Sequence, residues 1–268
     1  MNNLCRLTIA VVGLPFWFVT TGISQETNAR WTVPNDPNPQ TILLEAEADN
    51  RAGRYEDALA KHVWFQENAL KIQPAQYGVR LSFALSDWVE LGKSYPPALE
   101  KLKSIRDEDD RQIREKKASR DLFADFEAIN KHVQDPTRTK DTFIWLDKND
   151  ATFAGEVFSL AEADLVRAKE YRVCEKYLHP DADFERSSNY YEMQLEIAKS
   201  ATMGNRLLDF AKKKFSNESA TLVALLVVNG RKEQAEAIAA KAEKVLEDSN
   251  LKALLEKAKN GEVPEPWP

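Results

Sequence analysis

The sequence predicts an all-α protein built from successive pairs of helices. Between residues 41 and 260, apolar side chains recur at the spacing of one helix face, as in Leu81, Leu85 and Trp88. No stretch shows the sustained alternation of apolar and polar residues that a half-buried strand requires. Glycine is scarce, with nine residues in a chain of 268, and this leaves few positions for tight turns or strand bends.

The N-terminal 24 residues are typical of a secretory signal peptide. Arg6 precedes an apolar run over residues 7–18, and the small residues Gly22 and Ser24 follow it. We therefore expect cleavage near Ser24 and export of the protein, to a periplasmic space or to the medium. The alternative is an uncleaved membrane anchor through residues 7–23, which is short for a span that needs roughly 20 apolar residues.

The segments on either side of the helical region contain helix breakers. Residues 25–40 hold three Pro and three Asn with little apolar pattern, which predicts an extended linker. Residues 261–268 contain three Pro, which predicts a flexible tail. The predicted helical domain is residues 41–260. Loss of the leader would leave Cys174 as the one cysteine, so this domain has no internal disulfide to stabilise it.

Turn signals divide the domain into about six pairs of helices and a final single helix. The first helices of the pairs are expected near 41–52, 79–91, 111–133, 151–168, 184–202 and 217–229. Their partners are expected near 55–72, 96–107, 138–148, 170–179, 205–215 and 231–247. The acidic stretch 107–110 is interpreted as a solvated turn that leads into a charged helix. Ser249 caps a last helix that runs to Lys259 and closes the array.

A short motif returns at the turns within four of these pairs. Its copies are Gly53–Ala58, Gly92–Ala98, Lys169–Cys174 and Gly230–Ala235. In each copy a residue that tolerates the left-handed conformation ends the first helix. An aromatic residue then fills the turn in three of the four copies, and a small residue three places later lets the second helix approach closely. The predicted repeat-turn residues are Gly53, Tyr55, Ala58, Gly92, Tyr95, Ala98, Tyr171, Cys174, Gly230 and Ala235.

This motif resembles the tetratricopeptide (TPR) family of helix–turn–helix repeats. The best copy spans residues 41–74 and ends, as that family's repeats do, with a helix followed by Pro74. The spacing departs from the family pattern, because the units here are near 40 residues and the second copy has one extra residue. The resemblance implies a right-handed solenoid of antiparallel pairs, with a C-terminal capping helix and a concave groove lined by the first helix of each pair.

The reactive side chains have simpler interpretations than catalysis. Cys174 occupies the small-residue position of the repeat, so we interpret it as core. His62 falls on an apolar helix face, where an inter-helix histidine with satisfied hydrogen bonds is expected. The run His179–Asp183 is interpreted as a helix end with an Asp cap rather than a metal loop. The sequence contains no nucleotide-binding, zinc-hydrolase or serine-hydrolase motif. We therefore predict no catalytic, metal-binding or cofactor-binding residues.

The net charge of −6 at pH 7 disfavours a nucleic-acid partner. Most of the predicted groove-lining helices carry an acidic excess, and the helix predicted over 111–133 is the basic exception. The candidate groove-lining residues are Glu47, Ser82, Ser86 and Glu162. An acidic groove predicts a partner segment that is neutral or basic, while membrane contact is expected only if the leader remains as an anchor.

The function predicted from these observations is a non-catalytic exported scaffold that binds a peptide or protein segment in its groove. Two alternatives stay open. One is a structural envelope protein that associates with itself through the apolar ends of the solenoid. The other is an enzyme or solute-binding protein on a helical scaffold, which requires a deep pocket with converging polar groups.

Overall fold

The all-α prediction is confirmed by the computed structural model, which describes residues 30–200 and 204–267. Within these residues regular structure consists of thirteen α-helices and a 3₁₀ turn at Pro74–Gln76, with no strand. The helices are α1 (Pro39–Arg51), α2 (Tyr55–Ile72), α3 (Tyr77–Arg80), α4 (Phe83–Ser94), α5 (Pro96–Arg114), α6 (Arg120–His132), α7 (Pro136–Asn149), α8 (Ala151–Arg167), α9 (Tyr171–Glu175), α10 (Pro180–Ser200), α11 (Gly204–Val228), α12 (Lys232–Val245) and α13 (Ser249–Lys259). No helix in the described ranges is both long and apolar enough to span a membrane. The predicted leader lies outside these ranges.

The helices pack mainly with their neighbours along the chain. Helix α1 packs against α2, α4 against α5, α6 against α7, and α10 against α11. The row α1, α4, α6 and α8 is also in contact from one member to the next. At the C-terminal end, α11 contacts α9, α10, α12 and α13. Helix α11 is therefore the central element of the C-terminal part of the molecule.

Side-chain caps fix the start of several helices. Asn38 accepts a hydrogen bond from the N–H of Thr41 at 3.0 Å and begins α1. Asp150 and Asp248 cap α8 and α13 in the same way. Ser119, which was not expected to start a helix, caps α6. Each of these side chains satisfies an amide that has no partner within the first turn of its helix.

The predicted helix over 111–133 is wrong, because α5 continues through the acidic stretch to Arg114 and α6 starts only at Arg120. Opposite charges lie three or four residues apart here, on one helix face, and such pairs support a helix rather than a turn. The ion pairs are Arg111 with Glu108, Arg111 with Glu115, and Arg114 with Asp110. The turn itself falls at Lys116, whose φ is 58°.

The predicted division of residues 205–229 into two helices is also wrong, because α11 is one helix of 25 residues. We expected a break near Ser216 and Asn217. Ser216 is instead buried within the helix, and Asn217 uses its side chain to hold another segment of the chain. No Pro lies between Gly204 and Val228, so nothing in the backbone interrupts the helix.

The segments before α1 and after α13 contact the helices. In the linker, the N–H of Trp31 donates to Asp57 at 2.8 Å, and the ammonium of Lys61 lies 5.8 Å from the centre of the Trp31 ring. The C-terminal segment was expected to be a flexible tail. In the structure the backbone of Glu265 and Trp267 forms hydrogen bonds with the side chain of Asn217 in α11.

The apolar core consists of one large cluster and two small ones. The large cluster runs from Ile113 at the end of α5 to Ala258 in α13. The small clusters lie around Trp88 and around Phe65, among α1, α2, α4, α5 and α6. Helix α6 contributes to both parts, because Phe126 belongs to the large cluster and Ile129 to the one around Trp88. It therefore joins the N-terminal helices to the rest of the core.

Candidate functional site

The predicted turn residues occur where two helices meet, and three of the four copies share one backbone geometry. The residues with positive φ are Gly53 at 77°, Lys169 at 61° and Gly230 at 82°. In each case the next N–H donates to the carbonyl five residues earlier, as from Arg54 to Asp49. This bond closes a Schellman motif at the end of the first helix.

The small residues of the motif are fully buried. Ala58, Ala98 and Cys174 have no exposed surface, and Ala235 has 1%. The indole N–H of Trp88 donates to the carbonyl of Ala98 at 2.9 Å. A small side chain at these positions lets the second helix lie close to the first.

The aromatic residues of the motif behave differently from one copy to the next. Tyr55 and Tyr95 stack with their ring centres 5.9 Å apart, so one turn packs directly on the next. Tyr171 is partly buried, and its carbonyl accepts a hydrogen bond from Asn229 at 3.0 Å.

Gly92 does not end a helix, in contrast to the sequence-based prediction. It lies within α4, which continues to Ser94. A Cβ atom at Gly92 would lie 2.9 Å from the Cβ of Leu99 in α5. The glycine is therefore required for close approach of two helices, and not for a left-handed turn.

Three of the four predicted groove residues lie on α1 and at the start of α4. Glu47 is partly buried and pairs with Arg51, and Ser86 is exposed. Ser82 precedes α4 rather than lying inside it, and its hydroxyl donates to the carbonyl of Gly78 at 2.6 Å. Burial, followed by the charge of Glu47, raises the pKa of Asp87 on α4. Glu47 and Asp87 are therefore close enough for their charges to interact on this surface.

Glu162 lies apart from these residues, in a cleft of about 510 Å³ that we call the tail cleft. Its walls come from α8, α10, α11 and the C-terminal segment. The charged, hydroxyl and aromatic side chains along these walls include Glu162, Asp183, Phe184, Arg186, Tyr190, Lys214, Glu218, Ser219, Thr221 and Trp267. The cleft combines aromatic surface with charges of both signs, which suits a ligand with a charged end and an apolar body.

Three carboxylates and two cations line the tail cleft, and one of the carboxylates has no partner. Asp183 accepts a hydrogen bond from Arg186 at 2.7 Å. Glu218 accepts one from Ser187 at 2.7 Å and also pairs with Lys214. Glu162 makes no hydrogen bond or ion pair within the described residues.

Burial, followed by the charges of Asp183 and Glu218, raises the pKa of Glu162 to about 7. The nearby cation of Arg186 acts in the opposite direction but does not offset the burial. Near neutral pH the cleft therefore offers either a carboxylate that favours an incoming cation or a carboxylic acid that can donate a hydrogen bond.

Several buried polar atoms that line the tail cleft have no hydrogen-bond partner among the described residues. They are the hydroxyl oxygens of Ser219 and Thr221 and the indole nitrogen of Trp267. Burial without a partner costs about 1–3 kcal/mol for such a group. A ligand with polar atoms at these positions would recover part of that free energy. Tyr190 faces the ammonium of Lys214 at 5.3 Å and adds aromatic surface to the wall.

Asn217 and Trp267 were not singled out from the sequence, although both line the tail cleft. Both also line a second cavity of about 540 Å³ on the other side of the C-terminal segment, beside Asp209 and Asp248. The one sequence signal was a Trp in a segment otherwise rich in Pro and Glu. An aromatic side chain in a polar tail indicates a contact surface.

Cys174 and His62 are structural. Burial, followed by the charge of Glu162, raises the pKa of Cys174 to about 12, so its thiol carries no charge at neutral pH. His62 is 2% exposed, and its ring stacks on Trp88 with a centre distance of 5.4 Å. Its Nδ1 has no hydrogen-bond partner in the described residues, in contrast to the predicted satisfied histidine. Burial lowers the pKa of His62 to about 4.

The run His179–Asp183 begins a helix. Asp183 accepts a hydrogen bond from the N–H of His179 at 2.8 Å, and Pro180 is the first residue of α10. Within residues 30–200 and 204–267, no three side chains of His, Cys, Asp or Glu gather as a metal site requires. No protein-family model, curated protein or solved structure matches the chain.

Proposed function

We propose that the protein is an exported, non-catalytic scaffold whose helix pairs form a TPR-like solenoid and whose clefts bind a segment of another protein. Three features support the repeat architecture. The first helices of successive pairs are in contact from α1 to α8. The turns at Gly53, Lys169 and Gly230 share one backbone geometry. The Tyr55 and Tyr95 rings stack between two turns.

The tail cleft is the single observation that carries the binding function. It is open to solvent, it has aromatic walls, and its buried hydroxyl groups and its Glu162 carboxylate lack partners in the described residues. The unpaired carboxylate favours a basic side chain, because Asp183 and Glu218 already have cationic partners. A segment that places a Lys or Arg in the tail cleft fits these charges best.

Site-specific photocrosslinking tests this function. A photoreactive phenylalanine derivative would replace Tyr190 in the tail cleft, and the full chain would be irradiated in its own cells. A second sample would carry the same group at Phe83, which is 71% exposed beside Ser82 and Ser86. The control position is Glu243, an exposed residue of α12 that does not line the cleft.

A binding scaffold predicts crosslinks to a different protein from position 190, and none to it from position 243. Crosslinks only to other copies of this chain would favour the structural alternative. The absence of any position-specific product would contradict the proposal. If the captured segment is basic, added salt should weaken binding, because attraction between opposite charges is screened.

A further inference from the structure

The C-terminal segment shows how an extended peptide can be held on this surface. Helix α13 ends at Lys259, and Gly261, with φ of 83°, turns the chain back towards α11. Residues 262–267 then run without regular secondary structure. Trp267 of this segment lines both the tail cleft and the second cavity.

Asn217 of α11 holds the backbone of this segment through both ends of its side-chain amide. Its Nδ2 donates to the carbonyl of Glu265 at 2.9 Å. Its Oδ1 accepts from the N–H of Trp267, also at 2.9 Å. In a parallel sheet, one residue of a strand donates to and accepts from two residues of its neighbour that lie two positions apart. The amide of Asn217 plays the same part towards Glu265 and Trp267. Because both bonds go to main-chain atoms, this clamp fits an extended segment of any sequence.

Two side-chain contacts add selectivity to the clamp. The carboxylate of Glu265 lies 3.3 Å from Nε of Arg167 at the end of α8. The Trp267 ring packs edge-on against Phe210, with ring centres 6.0 Å apart. The contact with Phe210 therefore selects an aromatic ring, and the pair with Arg167 adds a weak preference for a carboxylate two residues before it.

The segment is held by few interactions. The ion pair is exposed on the side of Glu265, at 79%, and exposed pairs contribute little to stability. The indole N–H of Trp267 is buried without a hydrogen-bond partner in the described residues. Val263 packs against the large core cluster, whereas residues 264–267 beyond it rely on the amide clamp, one aromatic contact and one exposed ion pair. We therefore expect residues 264–267 to open far more readily than the core does.

We infer that the groove around Asn217 is a binding site for extended protein segments with an aromatic residue two positions after a carboxylate, and that residues 264–267 are its tethered, replaceable occupant. The inference rests on the proposed function, and it names a second contact beside the tail cleft, distinct from the basic side chain that Glu162 favours. A partner with a better aromatic anchor against Phe210 displaces the tethered segment.

Fluorescence anisotropy of a labelled peptide with the sequence of residues 262–267, EVPEPW, tests this inference. It would be titrated with the full chain and with a full-chain variant carrying Glu265→Ala and Trp267→Ala, which weaken the tethered occupant. A short tether presents its end at an effective concentration near the millimolar range. We therefore expect the variant to bind the peptide at least ~10-fold more tightly than the parent chain does.

Adding Asn217→Leu to that variant should weaken peptide binding by at least ~10-fold, because both main-chain bonds are lost. Asn189→Leu, at an exposed position of α10, is the matched control and should leave binding unchanged. A peptide with Ala in place of its Glu and Trp should not bind. Equal binding by the parent and the variant, or no effect of Asn217→Leu, would overturn the inference.

Hydrogen exchange in the unaltered protein keeps the inference testable if the variant fails to fold. The amide of Trp267 should exchange far faster than the amides at the centre of α11. Equal protection would show a permanently fixed segment and would overturn the inference. If photocrosslinking from position 190 captures a partner while the peptide does not bind, this inference fails and the proposed function stands.

Discussion

Replacing Glu162 with Gln should stabilise the protein at neutral and basic pH and leave its stability in acid unchanged. The substitution keeps the shape of the side chain and removes its charge. In the folded protein the pKa of Glu162 rises from 4.5 to about 7. Between pH 4.5 and about pH 7, Glu162 is therefore still protonated in the folded protein but already ionised in the unfolded chain.

The magnitude follows from the two pKa values. Each pH unit between them corresponds to 1.36 kcal/mol, so the rise contributes at most about 3 kcal/mol. This contribution of Glu162 to the free energy of unfolding is fully present below the unfolded pKa of 4.5, and it is lost as the pH rises through about 7. The side chain is partly exposed, and solvent screening reduces the expected difference to about 2 kcal/mol.

Urea denaturation of the full chain, followed by circular dichroism, measures this effect at pH 4 and at pH 8. The free energy of unfolding of Glu162→Gln should match that of the parent at pH 4 and exceed it at pH 8. Glu156→Gln, at an exposed position of the same helix, is the control and should change stability by less than about 0.5 kcal/mol. A variant that is less stable than the parent at pH 8 would refute the reasoning, because Glu162 would then have a stabilising partner.

Three further outcomes follow from buried groups. The pKa of His62 falls from 6.5 to about 4, so the parent should lose about 3 kcal/mol of stability through this residue as the pH drops through that window. His62→Leu should remove this loss in the same urea titrations; an unchanged pH profile would exclude a neutral buried histidine. Gly92→Ala should lower the free energy of unfolding by about 1–2 kcal/mol through its clash with Leu99. Gly78→Ala, where a Cβ meets nothing within 4 Å of the described residues, should be neutral or stabilising. A larger loss of stability for Gly78→Ala than for Gly92→Ala would contradict the packing argument. Cys174 should not react with a thiol reagent until urea unfolds the chain, whereas rapid reaction of the folded protein would show that it is accessible.

The helices that the sequence predicted well have both a periodic apolar face and a clear end. Helix α2 has the predicted bounds because Gly53 ends the preceding helix and Pro74 follows it. Helix α13 ends at Lys259 as predicted from the breakers beyond it, although its cap is Asp248 and not the predicted Ser249, which is the first residue of the helix. In these segments the local signals and the packing agree.

The errors come from segments where distant contacts decide the structure. The sequence around Ser216 and Asn217 contains polar residues that are typical of a turn, but tertiary packing keeps them in one helix. Glu162 was singled out from its helix face. Its cleft was not predictable, because the opposite walls come from α10, α11 and the residues around Trp267, which lies about a hundred positions further along the chain.

The role of α6 in two core clusters has a mechanical consequence. Phe126 and Ile129 anchor this helix in separate sets of apolar contacts, and Leu102 and Ile113 do the same for α5. A displacement of α6 would therefore disturb apolar contacts on both sides of it. It would be felt in the N-terminal helices that carry Glu47 and Asp87, and also in α8, which contacts α6 and carries Glu162 of the tail cleft.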